Sequence, residues 1–244
     1  MSLYSLSGQM GYDSAANEVA GAIMAEKSSN YQGQVMVVGV EGLSNSGKTT
    51  LATALESKLN ADSYSPLLIE GDKFIIGKMK AMEVYSSLIS SVTSGEDVPE
   101  NFPELIWRCP VLQQQIFEQV SRFNGSSLDE TTLELYDVLD ETKIDGSEHD
   151  KTYPLTRESI ILVPLMFIRQ FKPDFVVYLD ITPDTSIKRK INRDVRIGFR
   201  RDPSVTRKMV ELIENPAMAY HIQQNPLTSG IALDVNDFTQ IKPA

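Results

Sequence analysis

Eight consecutive residues, Gly42-Leu43-Ser44-Asn45-Ser46-Gly47-Lys48-Thr49, have the spacing G-x-x-x-x-G-K-[ST] that wraps a backbone around phosphate. Gly42 and Gly47 permit backbone angles and close approach that a Cβ would block, so that successive N–H groups converge on phosphate oxygens. A helix starting near Lys48 would aim its positive end at the same anion. Lys48 supplies a full charge for the β- and γ-phosphates, and the Thr49 hydroxyl is placed to ligate Mg²⁺. The expected nucleotide contacts are therefore Gly42, Ser44, Asn45, Ser46, Gly47, Lys48, Thr49 and Thr50.

Asp72 is the second candidate. It closely follows an apolar run in Leu68-Ile69-Glu70-Gly71-Asp72-Lys73-Phe74. In a parallel sheet the C-terminal ends of neighbouring strands share one crevice, so a carboxylate there would face the phosphate loop. It could take the proton of an attacking hydroxyl or orient Mg²⁺; the plainer alternative is a turn or helix-cap aspartate.

The third is cationic: seven of the fourteen residues from Lys188 to Arg201 are basic in a chain of net charge −10. Arginines closing over a nucleotide would neutralise the charge that phosphoryl transfer spreads over the γ-phosphate. A solvated helix face is the plainer alternative, and Lys188 and Lys190 are assigned to it.

These residues need a scaffold, and the apolar runs describe one. Gln34 to Val40, Pro66 to Glu70, Ser159 to Val163, Asp174 to Leu179 and Gly230 to Leu233 read as buried strands alternating with helical stretches, among them about Ser14 to Lys27 and Thr49 to Leu59. That alternation predicts an α/β domain with a five-stranded parallel sheet. Strand, phosphate loop and amphipathic helix then follow one another as the motif requires. A long helical insertion, about 75–155, separates the second and third strands and would build the substrate side. Within it a helix starts near Pro110, Ser94 to Glu104 reads as a loop, and the acidic stretch Asp140 to Asp150 as a solvated loop.

Composition narrows the function classes. With 244 residues, 41% hydrophobic and 23% charged, the chain is long enough for one sizeable core, so a single domain over 1–244 is expected. The acidic balance opposes general binding to nucleic-acid backbones. No apolar run approaches the ~18 residues of a membrane span. The lone Cys109 allows no internal disulfide and points to a reducing, cytoplasmic setting. His149 and His221, the only histidines, lack metal-ligand spacing, and Trp107 is expected in the core. An Asn-Lys-x-Asp guanine-reading tetrapeptide is absent, which disfavours the switch GTPases, and no apolar run ends in the acidic pair of a motor ATPase.

The stretch Val37 to Ala52 around the phosphate loop, the Gly71-Asp72-Lys73-Phe74 turn, Leu135-Tyr136-Asp137, and Tyr178-Leu179-Asp180 running on to Arg193-Asp194 together resemble the uridine kinase and phosphoribulokinase group of P-loop kinases. That group includes nicotinamide riboside kinases and bacterial pantothenate kinases. The segment from Pro216 to Pro226 and the apolar run after it resemble its last helix and strand. The resemblance implies a P-loop NTPase fold with strand order 2-3-1-4-5 and helices on both faces, ATP and Mg²⁺ as cofactors, and phosphoryl transfer to a hydroxyl of a small molecule. It further implies Asp72 as base or metal partner, Arg193 and Arg200 in a lid at about 188–205, and Tyr136 with Asp137 on the substrate. A homo-oligomer is compatible with it; nucleic acid and membrane are not implied.

Two positions depart from the group. Its Glu-Gly pair at the end of the third strand is replaced by Leu162-Val163-Pro164-Leu165, and the lid arginine four residues after Asp194 is replaced by Gly198, flanked by Arg196 and Arg200. Gly42-Leu43-Ser44 with Ile69-Glu70-Gly71-Asp72 also resembles adenylyl-sulfate kinases, without their arginine soon after the Gly-Asp pair. A nucleotide-binding regulator lacking transferase activity is the alternative from another class.

Overall fold

Met36 to Gly42 forms a strand that is buried at all seven positions, as an apolar and β-branched run covered on both faces must be. This strand, β2, is the middle of the computed structural model, which describes residues 4–6, 11–139, 148–198 and 201–238. The remaining strands are β1 (Tyr4–Leu6), β3 (Ser65–Leu68), β4 (Glu130–Leu139), β5 (Glu148–Thr156), β6 (Ser159–Pro164), β7 (Phe175–Asp180) and β8 (Gly230–Asp234).

Six of them form one parallel sheet in the order β3-β6-β2-β7-β8-β1. The sheet therefore has one strand more than expected: the three-residue β1 joins the edge of β8, a segment too short to announce itself by periodicity.

Helix α1 (Tyr12–Asn30) turns Ala15, Ala16, Val19, Ala20 and Ile23 to the core and packs on α2 (Lys48–Ala61), which buries Leu51, Leu55 and Leu59 at i, i+4, i+8. Gly39 in β2 is needed for close packing, because a Cβ there would stand 2.7 Å from a side-chain carbon of Ile168.

The insertion is not purely helical. It contains α3 (Lys78–Thr93), α4 (Phe102–Ile106), and a continuous helical run 109–124 made of α5 (Cys109–Leu112), a π-helical turn (Gln113–Glu118) and α6 (Gln119–Asn124). It then forms the antiparallel hairpin β4–β5. Two parts of the sequence expectation change accordingly. Residues Phe102 to Glu104, taken as loop, begin α4, whose Pro103 occupies the first turn, where a missing N–H does no harm. Glu148 to Asp150, taken as part of a solvated loop, lie in β5; residues 140–147 are outside the described residues.

Gln115 and Gln119 fasten the hairpin as an extra strand would. Each amide donates to a backbone carbonyl of β4 and accepts from the N–H of the same residue: Gln115 on Tyr136 (2.9 and 3.1 Å), Gln119 on Glu134 (2.6 and 3.1 Å).

The chain ends with α7 (Pro183–Arg196), then a run 203–224 comprising α8 (Pro203–Lys208), a π-helical turn (Met209–Glu214) and α9 (Asn215–Gln224), and finally β8. Among the described residues no helix is long and apolar enough to cross a membrane.

Candidate active site

The phosphate loop is held from behind by side chains that capture its carbonyls. Tyr12 donates to Ser46 O (2.8 Å), Arg189 donates to Ser46 O (3.4 Å) and to the Tyr12 hydroxyl (3.2 Å), and Ser186 donates to Ser44 O (2.6 Å). The buried Arg189 also binds Val235 O and Phe238 O (2.6 and 2.9 Å), tying α7, the loop and the segment after β8 into one frame.

Both motif glycines are required. At Gly42 (φ 149°) a Cβ would stand 2.7 Å from Leu179 O, and at Gly47 (φ 98°) it would fall 1.9 Å from the Tyr12 hydroxyl. Gly47 caps α2 in the left-handed region, so the free N–H groups of the first helical turn begin at Lys48.

Lys48 folds back over this loop, donating to Gly42 O (2.9 Å) and Leu43 O (2.8 Å). Burial pulls its ammonium down to about 8, against the opposing charges of Asp72, Glu214 and Glu41 and assisted by Lys190. An incoming phosphate is an anion for which this lysine has only carbonyl partners to give up.

Lys48, Thr49, Asp72, Arg193 and Arg201 line one cavity of about 1080 Å³. Asp72 sits on a 3₁₀ turn (Gly71–Phe74) just beyond β3 and is exposed into that space. Arg193 lies near the end of α7 and pairs with Asp194 (3.1 Å), which Arg201 also approaches (3.8 Å). Arg201 rests beside the sulfurs of Met82 and Met209. Arg200 lies outside the described residues.

Thus the phosphate loop, Asp72 and Arg193 come together. Tyr136 and Asp137 do not join them. They form a bulge in β4, where Asp137 has φ 54° and the register with β5 shifts. Tyr136 lines a separate cavity of about 480 Å³ between the hairpin and the 109–124 helical run. Asp137 is linked to the site through its backbone carbonyl, which accepts from Arg108 (2.6 Å); Arg108 also reaches Lys73 O (3.4 Å) beside Asp72.

Lys190 corrects the sequence expectation most directly. It is 4% exposed, not solvated, and its ammonium donates to Glu214 (2.8 Å), which also accepts from the Tyr85 hydroxyl (3.2 Å). Lys190, Glu214 and Tyr85 all line the phosphate-loop cavity. Helical spacing holds a signal for this, since Lys190 falls three residues after Ile187 and four before Asp194, on the buried stripe of α7. Burial pushes the Glu214 carboxyl up, but the charge and hydrogen bond of Lys190, with help from the Ser44 and Tyr85 side chains, outweigh it and hold the group below the usual glutamate value.

A second buried carboxylate stands behind the loop. Glu41 ends the apolar part of β2, contacts the Arg169 guanidinium, accepts from the Arg169 N–H (3.3 Å) and accepts from His221 Nε2 (2.9 Å). His221 is thus structural, as is Cys109, whose Sγ is buried and accepts from Gln170 (3.5 Å). Trp107 packs edge-on against Phe167 and lines the main cavity.

The residues present fit a nucleotide and its metal. A cradle without Cβ atoms, an ammonium and a helix N-terminus converge, and the Thr49 hydroxyl is exposed to the cavity. Among the described residues no group of three His, Cys, Asp or Glu side chains could hold a metal unaided, so phosphate oxygens must complete the coordination of any Mg²⁺ here.

Comparison with known proteins gives the same fold. Residues 34–84, which span β2, the loop, α2, β3 and Asp72, match the family model described as adenylylsulphate kinase. A possible uridine kinase from Bacillus stearothermophilus is 20% identical, with 88% of this chain and 96% of that chain covered and a TM-score of 0.56. D-glycerate 3-kinase from Cryptococcus neoformans var. grubii is 13% identical, with 91% and 96% covered and a TM-score of 0.56. A putative fructose transport system kinase from Silicibacter is 14% identical, with 91% and 98% covered and a TM-score of 0.55. No curated protein matches the chain. The chain has the α/β fold of P-loop kinases, with a phosphate loop at the end of its central strand.

Proposed function

We propose that the protein is an ATP- and Mg²⁺-dependent kinase that transfers the γ-phosphate to a hydroxyl of a nucleoside, vitamin or sugar-like acceptor, in the manner of uridine kinases. The observation that carries this is the meeting of the phosphate loop, Asp72 and Arg193 around one cavity large enough for a nucleotide and an acceptor together.

In this reading Gly42, Ser44 to Gly47 and Thr50 cradle the phosphates, and Lys48 releases its two carbonyls to bind them. Mg²⁺, held with Thr49, supplies charge neutralisation. Asp72 accepts the proton of the acceptor hydroxyl as its oxygen bonds to the γ-phosphorus, while the bond to the β-phosphate oxygen breaks and ADP leaves. Arg193, with Arg200, covers the developing charge. Tyr136 and Asp137 would reach the acceptor only through movement of the hairpin. The chain would act as one domain, with the insertion at about 75–155 and the lid at about 188–205, in the cytoplasm and without nucleic-acid or membrane partners.

A second reading, favoured by the match over residues 34–84, is a kinase acting on adenylyl sulfate. ADP release over a panel of nucleosides, pantothenate, nicotinamide riboside, sugars and adenylyl sulfate separates the two. Strong release with one acceptor class is expected, and Asp72→Asn should then lower turnover by ~10²-fold while ATP still binds. Release with adenylyl sulfate alone would transfer the assignment to the second reading. No release from any acceptor would replace both by a nucleotide-binding regulator.

A further inference from the structure

The cavity contains a carboxylate with one oxygen outside any regular hydrogen bond. Lys190 and Tyr85 both donate to Oε1 of Glu214; Oε2 is buried and, among the described residues, makes no hydrogen bond of regular geometry, with the Ser44 side chain of the phosphate loop near enough to act on the carboxyl. Leaving a buried carboxylate oxygen unpaired is costly, and a purely structural ion pair would be expected to satisfy both. At Glu41 both oxygens meet a partner group: Oε2 is in contact with the Arg169 guanidinium, though not in the geometry of a regular hydrogen bond, and Oε1 takes His221 and the Arg169 N–H.

Three further observations point from Glu214 into the site. Glu214 and Asp72 line the same cavity as Lys48, the lysine of the phosphate loop, and the charges of both act on it. The Ser44 side chain in the phosphate loop favours its ionised form. Finally, Glu214 closes the π-helical turn Met209–Glu214, a local widening of the 203–224 helical run of the kind that re-aims side chains at functional sites. Asp194 also lines the cavity, but it is held between Arg193 and Arg201.

Of the two strands beside β2, β7 ends on Asp180 and β6 ends without an acid. Pro164, paired in register with Val40, is buried there. Mg²⁺ bound with nucleotide phosphates takes one or two protein carboxylates.

Building on the kinase reading above, we infer that Glu214 is the metal-side carboxylate of this site, acting with Thr49 on the Mg²⁺ of the bound nucleotide and supplying from the last helical run the acid that β6 lacks. Lys190 is its counter-ion in the nucleotide-free protein, and entering phosphate oxygens are the competing partner for that ammonium. The two charges of the pair are thereby redistributed to ligands of opposite sign, which accounts for a buried ion pair in the wall of a nucleotide cavity.

Calorimetric titration of ATP with and without Mg²⁺, and electron paramagnetic resonance of Mn²⁺ in the ATP complex, test this on the full chain without recourse to turnover. In the unsubstituted protein the metal should tighten ATP binding. Glu214→Gln should remove at least tenfold of that tightening and weaken Mn²⁺ binding in the complex, while metal-free ATP affinity stays within about threefold. The double variant Lys190→Gln with Glu214→Gln keeps the charge balance, and alone carries the test where the single variant does not fold. Loss of metal tightening should persist in it, whereas a merely structural pair predicts that tightening is retained once balance is restored. Retention in either variant overturns the inference and leaves the kinase reading standing; absence of ATP binding by the unsubstituted protein overturns both.

Discussion

Glu41 and Glu214 are both fully buried carboxylates on elements flanking the phosphate loop, yet their surroundings differ in kind. Glu41 sits behind the loop, away from the cavity, with a guanidinium and an imidazole enclosing both oxygens. Glu214 sits in the cavity wall with both donors on one oxygen. A closed cluster fixes a backbone; a half-open one leaves capacity for a ligand. Lys48 feels both charges.

The largest expected effect breaks the closed cluster. Glu41→Ala strands Arg169 without its anion and should lower stability by about 3–5 kcal/mol, read as a drop in the urea midpoint. A midpoint unchanged from the native protein would mean that this cluster does not hold β2 against the segment carrying Arg169. Next comes the group between the clusters: Lys48→Met should lower turnover by ~10²-fold, through lost phosphate charge compensation, with the fold retained. If circular dichroism instead reports unfolding, Lys48 belongs to the structural side of the comparison.

The smallest effect is the titration of Lys48. Its ammonium is held near 8 in the free protein, and a bound phosphate raises that value because it favours the charged form. ATP affinity is therefore complete below about pH 8 and declines above it, by about tenfold at pH 9. The Lys48→Met variant should show a flat profile over the same range, and a sloping one would assign the pH dependence to another group.

Much of the fold was legible because its signals are local. Gln34 to Thr49 contains a buried strand, two obligatory glycines and the helix start in unbroken order, and the helical spacing of Leu51, Leu55 and Leu59 extends it. The hairpin was not legible. Leu133 and Leu135 alternate as a strand should, but the bulge at Tyr136 and Asp137 shifts the register before Val138, and the partner strand opens in a stretch dominated by acidic residues. Asp72 could be placed from sequence because a strand end fixes its crevice. Glu214 could not, because nothing near it in the chain marks a helical carboxylate as cavity-facing.

By itself the sequence determined the loop proposed here to hold phosphate, since the geometry of that loop is written in contiguous residues whose backbone freedom and charge are intrinsic. Only the tertiary structure decided which charges surround the phosphate. Lys190 meets Glu214 from 24 residues away, and Arg169 and His221 reach Glu41 from 128 and 180 residues away. Burial makes each of these charges depend on a partner that no local pattern specifies, and folding alone supplies that partner.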